Sequence, residues 1–252
     1  MKRSAMEMRG ESQGLLAAFE QDALSRPKPM IRVGPKGEPL LQFILEQALR
    51  AGFTEVTLVV SPDDSLTKSF VEHWNKTPAG LKMRTGYAVQ SEPLGTAHAV
   101  QCALEQDPVA SGTAFVLCNG DNVPTRRSLS KLRSQPQGQA VLAYDREHLG
   151  LPPEKTAAFA VLQGAQGMLT SILEKPKQDV IDELFQCNGI VHVSMNLFRL
   201  DPELLLPFLR ELTPHSSRGE LELPSALQQM LHAGHTVEMV ETRGEVLDLT
   251  RF

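Results

Sequence analysis

Cysteine is scarce and scattered: Cys102, Cys118 and Cys187 are the three in a chain of 252 residues. An odd number at such spacing makes neither a disulfide framework nor a thiolate zinc site, and a reducing cytoplasm is the expected setting. Long apolar runs are missing too. None approaches the roughly 18 residues of a membrane span, and the N-terminus lacks the apolar core of a secretion signal, so no membrane partner is expected. Positive charge is not in surplus. The formal net charge of -5 gives no general attraction to nucleic acid or anionic lipid, although it leaves room for a local basic site for phosphate. Repeats and low-complexity linkers are absent as well, which makes one domain over residues 1–252 the economical expectation.

What is present suits a globular protein. Hydrophobic residues at 41% and charged residues at 22% exclude disordered and fibrous classes, and the length suffices for one substantial α/β core. Helical spacing of Leu41, Ile44, Leu45, Ala48 and Leu49 predicts a helix that Gly52 stops. The strand "EVTLVV" follows, then a helix in "SLTKSFVEHWN", an extended "LKMRTGYAVQ", a helix in "GTAHAVQCALE" and a buried strand in "GTAFVLC". Further on, "QAVLAY", "AAFAVLQG", "LTSILEK" and "GIVHVSMNLFRL" read as strands. "PELLLPFLREL" and "LPSALQQMLHAG" read as helices, and "TVEMVETRGEVLDLT" supplies the last strands. Such alternation predicts a single-domain, Rossmann-like, layered α/β/α fold whose mixed sheet is mainly parallel. Residues 1–26 show no clear period. His232 and His235 flank Gly234 and read as a helix end rather than a metal site.

One stretch breaks its own pattern. In "FVLCNGDNVPT" an apolar run stops on Asn119, Gly120, Asp121 and Asn122. A carboxylate inside a covered strand would lack solvation, so Asp121 is expected just past the strand end, where open α/β sheets bind ligands. The plain alternative is a turn, for which Asn-Gly-Asp-Asn is ordinary chemistry.

Six blocks occur in one order: "RPKPMIRVG", "QSEPLGTAHAV", "FVLCNGDNV", "ILEKP", "CNGIVHVS" and "VLDLT". Together they resemble the nucleotidyltransferases, and more narrowly the sugar-1-phosphate nucleotidylyltransferases of the glucose-1-phosphate uridylyl or thymidylyl kind. The likeness spans about residues 27 to 250. It implies a nucleoside triphosphate and a sugar 1-phosphate as substrates, a nucleotide sugar and pyrophosphate as products, and Mg²⁺ as the cofactor. Whether subunits associate into a homo-oligomer stays open.

The resemblance also assigns roles. Asp121 and Asp248 are the expected metal ligands, and Asp121 with Lys28 is the expected catalytic pair. Lys28, held between Pro27 and Pro29, offers a point charge for phosphate, with a solvated turn lysine as the alternative. Gln90, Pro93, Leu94, Gly95 and Thr96, with Asn119 and Gly120, are the expected nucleotide-binding residues. There, amide groups and helix-start N–H groups suit a base edge, although Gly95 and Thr96 also suit a plain helix cap. Glu174, Lys175, Asn188 and Gly189 are the expected sugar-binding residues, against a surface ion pair and a simple turn. His98 has no evident partner and reads as a packing or surface residue.

Departures from the family pattern are equally specific. The glycine-rich loop Ala-Ala-Gly-x-Gly-Thr-Arg is not found in residues 1–26, where "MRGESQG" and "LLAAFEQ" each keep only part of it. Leu249 follows Asp248 where glycine is usual. A catalytically inactive homologue that binds a nucleotide sugar and serves as a regulator or scaffold is therefore the second expectation.

Overall fold

A computed structural model describes residues 22–136, 138–151, 156, 159–214, 219–244 and 247–248, the last pair as backbone. The expectation for the N-terminal loop thus lies largely outside the described residues. The architecture is mixed α/β. In chain order it runs α1 (Leu40–Arg50), β1 (Glu55–Val60), α2 (Ser65–Trp74), β2 (Arg84–Val89), α3 (Thr96–Gln106), β3 (Phe115–Leu117), β4 (Asn122–Val123) and α4 (Arg126–Arg133). There follow β5 (Gln139–Asp145), β6 (Val161–Ala165), β7 (Met168–Leu173), α5 (Gln178–Asn188), β8 (His192–Leu200), α6 (Pro202–Glu211), α7 (Leu223–His232), β9 (Val237–Thr242) and β10 (Leu247–Asp248).

The helices form as their apolar spacing dictates. α1 buries Leu40, Leu41, Ile44, Leu45 and Ala48 along one face and ends before Gly52, whose φ is 87°. α7 ends at His232 with Gly234 at φ 87°, which bears out the helix end expected of "HAGH". α4 and α5 are additions to the sequence reading. Thr125 caps α4 by accepting from the Ser128 amide at 3.1 Å, but only Leu129 and Leu132 in that helix are buried apolar residues. α5 buries Ile181 alone. Neither makes a strong stripe.

Parallel pairing is more limited than expected. Among the described pairs, β1–β2 and β5–β9 are parallel, whereas β3–β8, β5–β8, β6–β7, β6–β8, β7–β9 and β4–β10 are antiparallel. The strands form three sheets: β1–β2, β4–β10, and a six-stranded mixed sheet ordered β3-β8-β5-β9-β7-β6 in which only β5–β9 is parallel among the described pairs. The cause is local: β6 and β7 are joined by Gln166 and Gly167, both at positive φ (53° and 77°), a two-residue turn of the kind that returns a strand beside itself. β3 is correspondingly short and half-buried, an antiparallel neighbour of β8 rather than a strand covered on both faces.

β8 organises the second half. Its Val193 faces Tyr144 of β5 and Val161 of β6, while its Phe198 faces Val141 of β5 and Leu117 of β3. Between them the register slips opposite Val141 and Ala143, and Asn196 takes φ 53°. A bulge there bends the strand.

A small cluster of Ile31, Leu40, Ile44 and Val123, with Val33, Phe43 and Cys118 against it, lies between α1 and β4. Burying each such aliphatic side chain is worth about 1.5–3 kcal/mol. The cluster ties the segment after Lys28 to the segment after Asp121.

Candidate functional site

Pro27 and Pro29 enclose Lys28, and Lys28–Met30 closes one 3₁₀ turn. Proline fixes φ near the value such a turn needs, so this rigidity is written locally. The turn sits on the Asn119–Asp121 loop: a Cβ on Gly120 would come 3.0 Å from Pro29 Cγ. A larger residue at this position would press on Pro29. Lys28 Nζ consequently reaches Asp121 Oδ2 at 3.1 Å, with the Asp121 side chain 19% exposed.

A buried carboxylate holds both ends of the same turn. Asp22 Oδ1 accepts from Arg26 Nε at 3.1 Å and Arg32 Nη2 at 2.7 Å, while Oδ2 accepts from Arg32 Nε at 2.8 Å and the Arg32 amide at 3.1 Å. The hydrogen-bonded Arg32 guanidinium holds the Asp22 carboxyl down at about 2, against a smaller opposing effect of burial. Sequence reading missed this residue, since nothing in "EQDALSR" marks one acid over the other.

Asp248 comes to the same place through the backbone. β10 pairs antiparallel with β4, setting Asp248 opposite Asn122, the residue after Asp121. The backbone of Asp248 thus lies across from the residue next to Asp121. Carboxylate oxygens are hard donors that suit Mg²⁺, which takes one or two carboxylates together with substrate phosphates rather than a full protein cage. Among the described residues no group of three or more His, Cys, Asp or Glu is placed to hold a metal. The donor set fits that open mode. Beneath it, burial pushes the Cys118 thiol up to about 11, with the Asp121 charge adding to the effect.

The expected base-reading residues are tightly knit. The Gln90 amide continues the β2 ladder by donating to the Val60 carbonyl at 2.9 Å, and its side-chain Nε2 donates to the Gly95 carbonyl at 3.1 Å. Pro93 and Leu94 are exposed between them. Gly95 has φ 111°, and a Cβ there would lie 2.5 Å from the Leu221 carbonyl oxygen. That closeness has a purpose in the fold. The Leu221 amide donates to Leu94 at 2.6 Å, the Leu221 carbonyl accepts from Ala97 at 2.8 Å, and the Leu223 amide donates to Thr96 Oγ1 at 3.0 Å. Gly95 and Thr96 therefore serve a chain crossing as well as opening α3. His98, read as a bystander, contacts Gln90 Nε2 through Nδ1 at 3.2 Å.

Glu174 and Lys175 follow β7, as expected, and are exposed. Lys175 adopts φ 44° directly before Pro176. A non-glycine residue in that region is strained by about 1–3 kcal/mol, and such strain gathers at functional positions. Asn188 and Gly189 have a different setting. Gly189, at φ 69°, caps α5 by donating to the Phe185 carbonyl at 2.8 Å. Asn188 lines a cavity of about 450 Å³ with Gln163, Gln166, Gly167 and His192, around the hairpin turn that precedes β7. β6 lies between β7, which Glu174 follows, and β8, which carries Ser194. Val161 pairs with both Leu173 and Val193, and the Ser194 amide donates to the Ala160 carbonyl at 2.9 Å. Ser194 Oγ in turn accepts from the Asn196 amide at 3.1 Å, within the bulge.

A family model described as Nucleotidyl transferase matches residues 23–248. Among proteins of similar sequence, the bifunctional protein GlmU of Methanococcus maripaludis is 29% identical over 221 residues, 85% of this chain and 45% of its own length. The bifunctional protein GlmU of Shouchella clausii is 26% identical over 206 residues, 82% of this chain and 42% of its own. The low-salt glycan biosynthesis nucleotidyltransferase Agl11 of Haloferax volcanii is 24% identical over 220 residues, covering 85% of this chain and 56% of its own. The chain thus spans about half the length of these relatives. A solved UDP-glucose pyrophosphorylase in complex with UDP-glucose superposes with a TM-score of 0.64 at 18% identity, covering 84% of this chain and 82% of that one. At that identity the likeness speaks for the fold.

Proposed function

The chain belongs to the nucleotidyl transferase family, and from that premise we propose that it transfers a nucleotidyl group from a nucleoside triphosphate to a sugar 1-phosphate. A phosphate oxygen of the sugar 1-phosphate forms the new bond to the α-phosphorus. The bond from that phosphorus to the oxygen bridging to the β-phosphate breaks, and pyrophosphate leaves. The observation that supports this reading is the Lys28–Asp121 ion pair, with the backbone of Asp248 paired to Asn122, the residue after Asp121.

Two anions must meet in this reaction, so catalysis is positioning and charge offset more than covalent chemistry. Lys28 supplies a fixed positive point charge beside Asp121. Gln90, Gly95 and Thr96 take the base, the amide oxygen of Gln90 offering an acceptor. Glu174 accepts from sugar hydroxyls, and Lys175 meets the sugar's phosphate. Asp121 and Asp248 would hold Mg²⁺, which when bound offsets phosphate charge. Of the described residues, no helix is long and apolar enough to cross a membrane, and a cytoplasmic setting accords with the three free cysteines.

Purified protein with Mg²⁺, a panel of nucleoside triphosphates and a panel of hexose 1-phosphates is expected to release pyrophosphate only when both substrates are present. No release from any pair, by protein shown to be folded, would refute the activity.

A further inference from the structure

His98 stands one helical turn before Cys102 on α3 and across from Gln90 at the end of β2. Both ring nitrogens are engaged. Nε2 lies 3.5 Å from Cys102 Sγ, and Nδ1 lies 3.2 Å from Gln90 Nε2 and 3.1 Å from the Glu92 carbonyl oxygen. The two neighbours of Nδ1 have opposite character: an amide N–H donates and a carbonyl accepts. A neutral imidazole can therefore satisfy only one of them at a time.

With the proton on Nε2, Nδ1 accepts from Gln90 and Nε2–H donates to the Cys102 sulfur. With the proton on Nδ1, the ring donates to the Glu92 carbonyl, and the thiol S–H donates to Nε2. Cys102 serves either state, because a thiol both donates and accepts. Burial, with Glu105 adding to it, raises its pKa and keeps that proton in place. His98 holds Gln90 only in the first state. Its Nε2 carries two hydrogens, and the Gly95 carbonyl at 3.1 Å takes the other. The amide is then locked with its oxygen turned away from Gly95 and the ring, as an acceptor for a base N–H.

We infer that His98 is a positioning residue for base recognition, its tautomer selecting whether the Gln90 amide is held or released. The role rests on the reading above that Gln90 faces the nucleotide base. Coupling is reciprocal: a base that donates to Gln90 Oε1 favours the Nε2–H tautomer, and that tautomer favours the base.

The test uses the full chain, ¹⁵N-labelled at histidine, with UTP as the probe. Long-range imidazole NMR at pH 8 is expected to show His98 exchanging between tautomers, and saturating UTP moves it to the Nε2–H form. His98→Ala weakens UTP binding roughly 10-fold, the scale of one lost hydrogen bond, and narrows the preference for UTP over CTP by a similar factor. CTP discriminates because its ring N3 accepts where that of UTP donates. His98→Asn, whose side-chain oxygen stands near the Nδ1 position, restores most of both. A UTP-to-CTP ratio in His98→Ala equal to wild type, or a tautomer population unmoved by saturating UTP, overturns the inference alone. Wild-type protein that binds no nucleotide overturns the parent reading and this role with it.

Discussion

Lys28 Nζ and Asp121 Oδ2 meet at 3.1 Å across 93 residues of sequence. With the lysine side chain 59% exposed, the pair contributes little to stability, about 0–1 kcal/mol. Its value is to put one positive charge where two anions must approach. Lys28→Ala is therefore expected to lower kcat by about 10²–10³, the scale for removing one fixed electrostatic group. Thermal melting should barely move. Steady-state kinetics beside melting curves check both halves.

Acid sensitivity is expected to reside partly in Asp22. Its carboxyl titrates near 2 in the fold, below the ordinary 3.8, because it is bonded to Arg32. Lowering the folded-state value makes the contribution complete above about pH 4 and removes it as pH falls through that window towards 2. Asp22→Asn should cost about 1 kcal/mol at pH 7, after discounting for solvent at the arginines, and should flatten the stability profile between pH 4 and 2. Urea titrations across pH measure this.

Lys175 occupies a strained conformation, φ 44° before a proline. Lys175→Gly relieves the strain while removing the ammonium. The expected outcome is a melting temperature no lower than wild type together with a rise in KM for the sugar 1-phosphate of about 10-fold or more, in line with charged hydrogen bonds worth roughly 1.5–3 kcal/mol. A variant that melts lower and keeps its KM would show the conformation to be structural.

Gly95→Ala is expected to be more damaging than any other one-atom addition near the site. The new Cβ would lie 2.5 Å from the Leu221 carbonyl oxygen and φ is 111°, so the backbone crossing must open. A loss of about 2–3 kcal/mol, with a raised KM for nucleotide, is the expected result from calorimetry and kinetics. Leu221→Ala leaves the crossing backbone intact and should retain nucleotide binding.

Much of this was legible in the sequence. Asp121 and Asp248 were marked by apolar runs that end on an acid, and the backbone of Asp248 pairs with Asn122, next to Asp121. Lys28 was marked by its flanking prolines. Strand direction in the second half was not legible, because a period of two says which face is buried and nothing about the neighbour; the Gln166–Gly167 turn sets it for β6 and β7. Asn188–Gly189 carries the turn chemistry that ends α5, which the sequence showed as a turn entering the next strand. His98 looked idle because its partners arrive from β2 and its connecting loop, which spacing along α3 cannot show.

Manganese binding, read by electron paramagnetic resonance in the presence of a non-hydrolysable nucleoside triphosphate, tests most directly whether Asp121 and Asp248 act on one ion. One Mn²⁺ per chain is expected, weakened at least about 10-fold by Asp121→Asn and by Asp248→Asn, with the double variant far from additive because the site is shared. Full-affinity binding by Asp248→Asn would contradict the account.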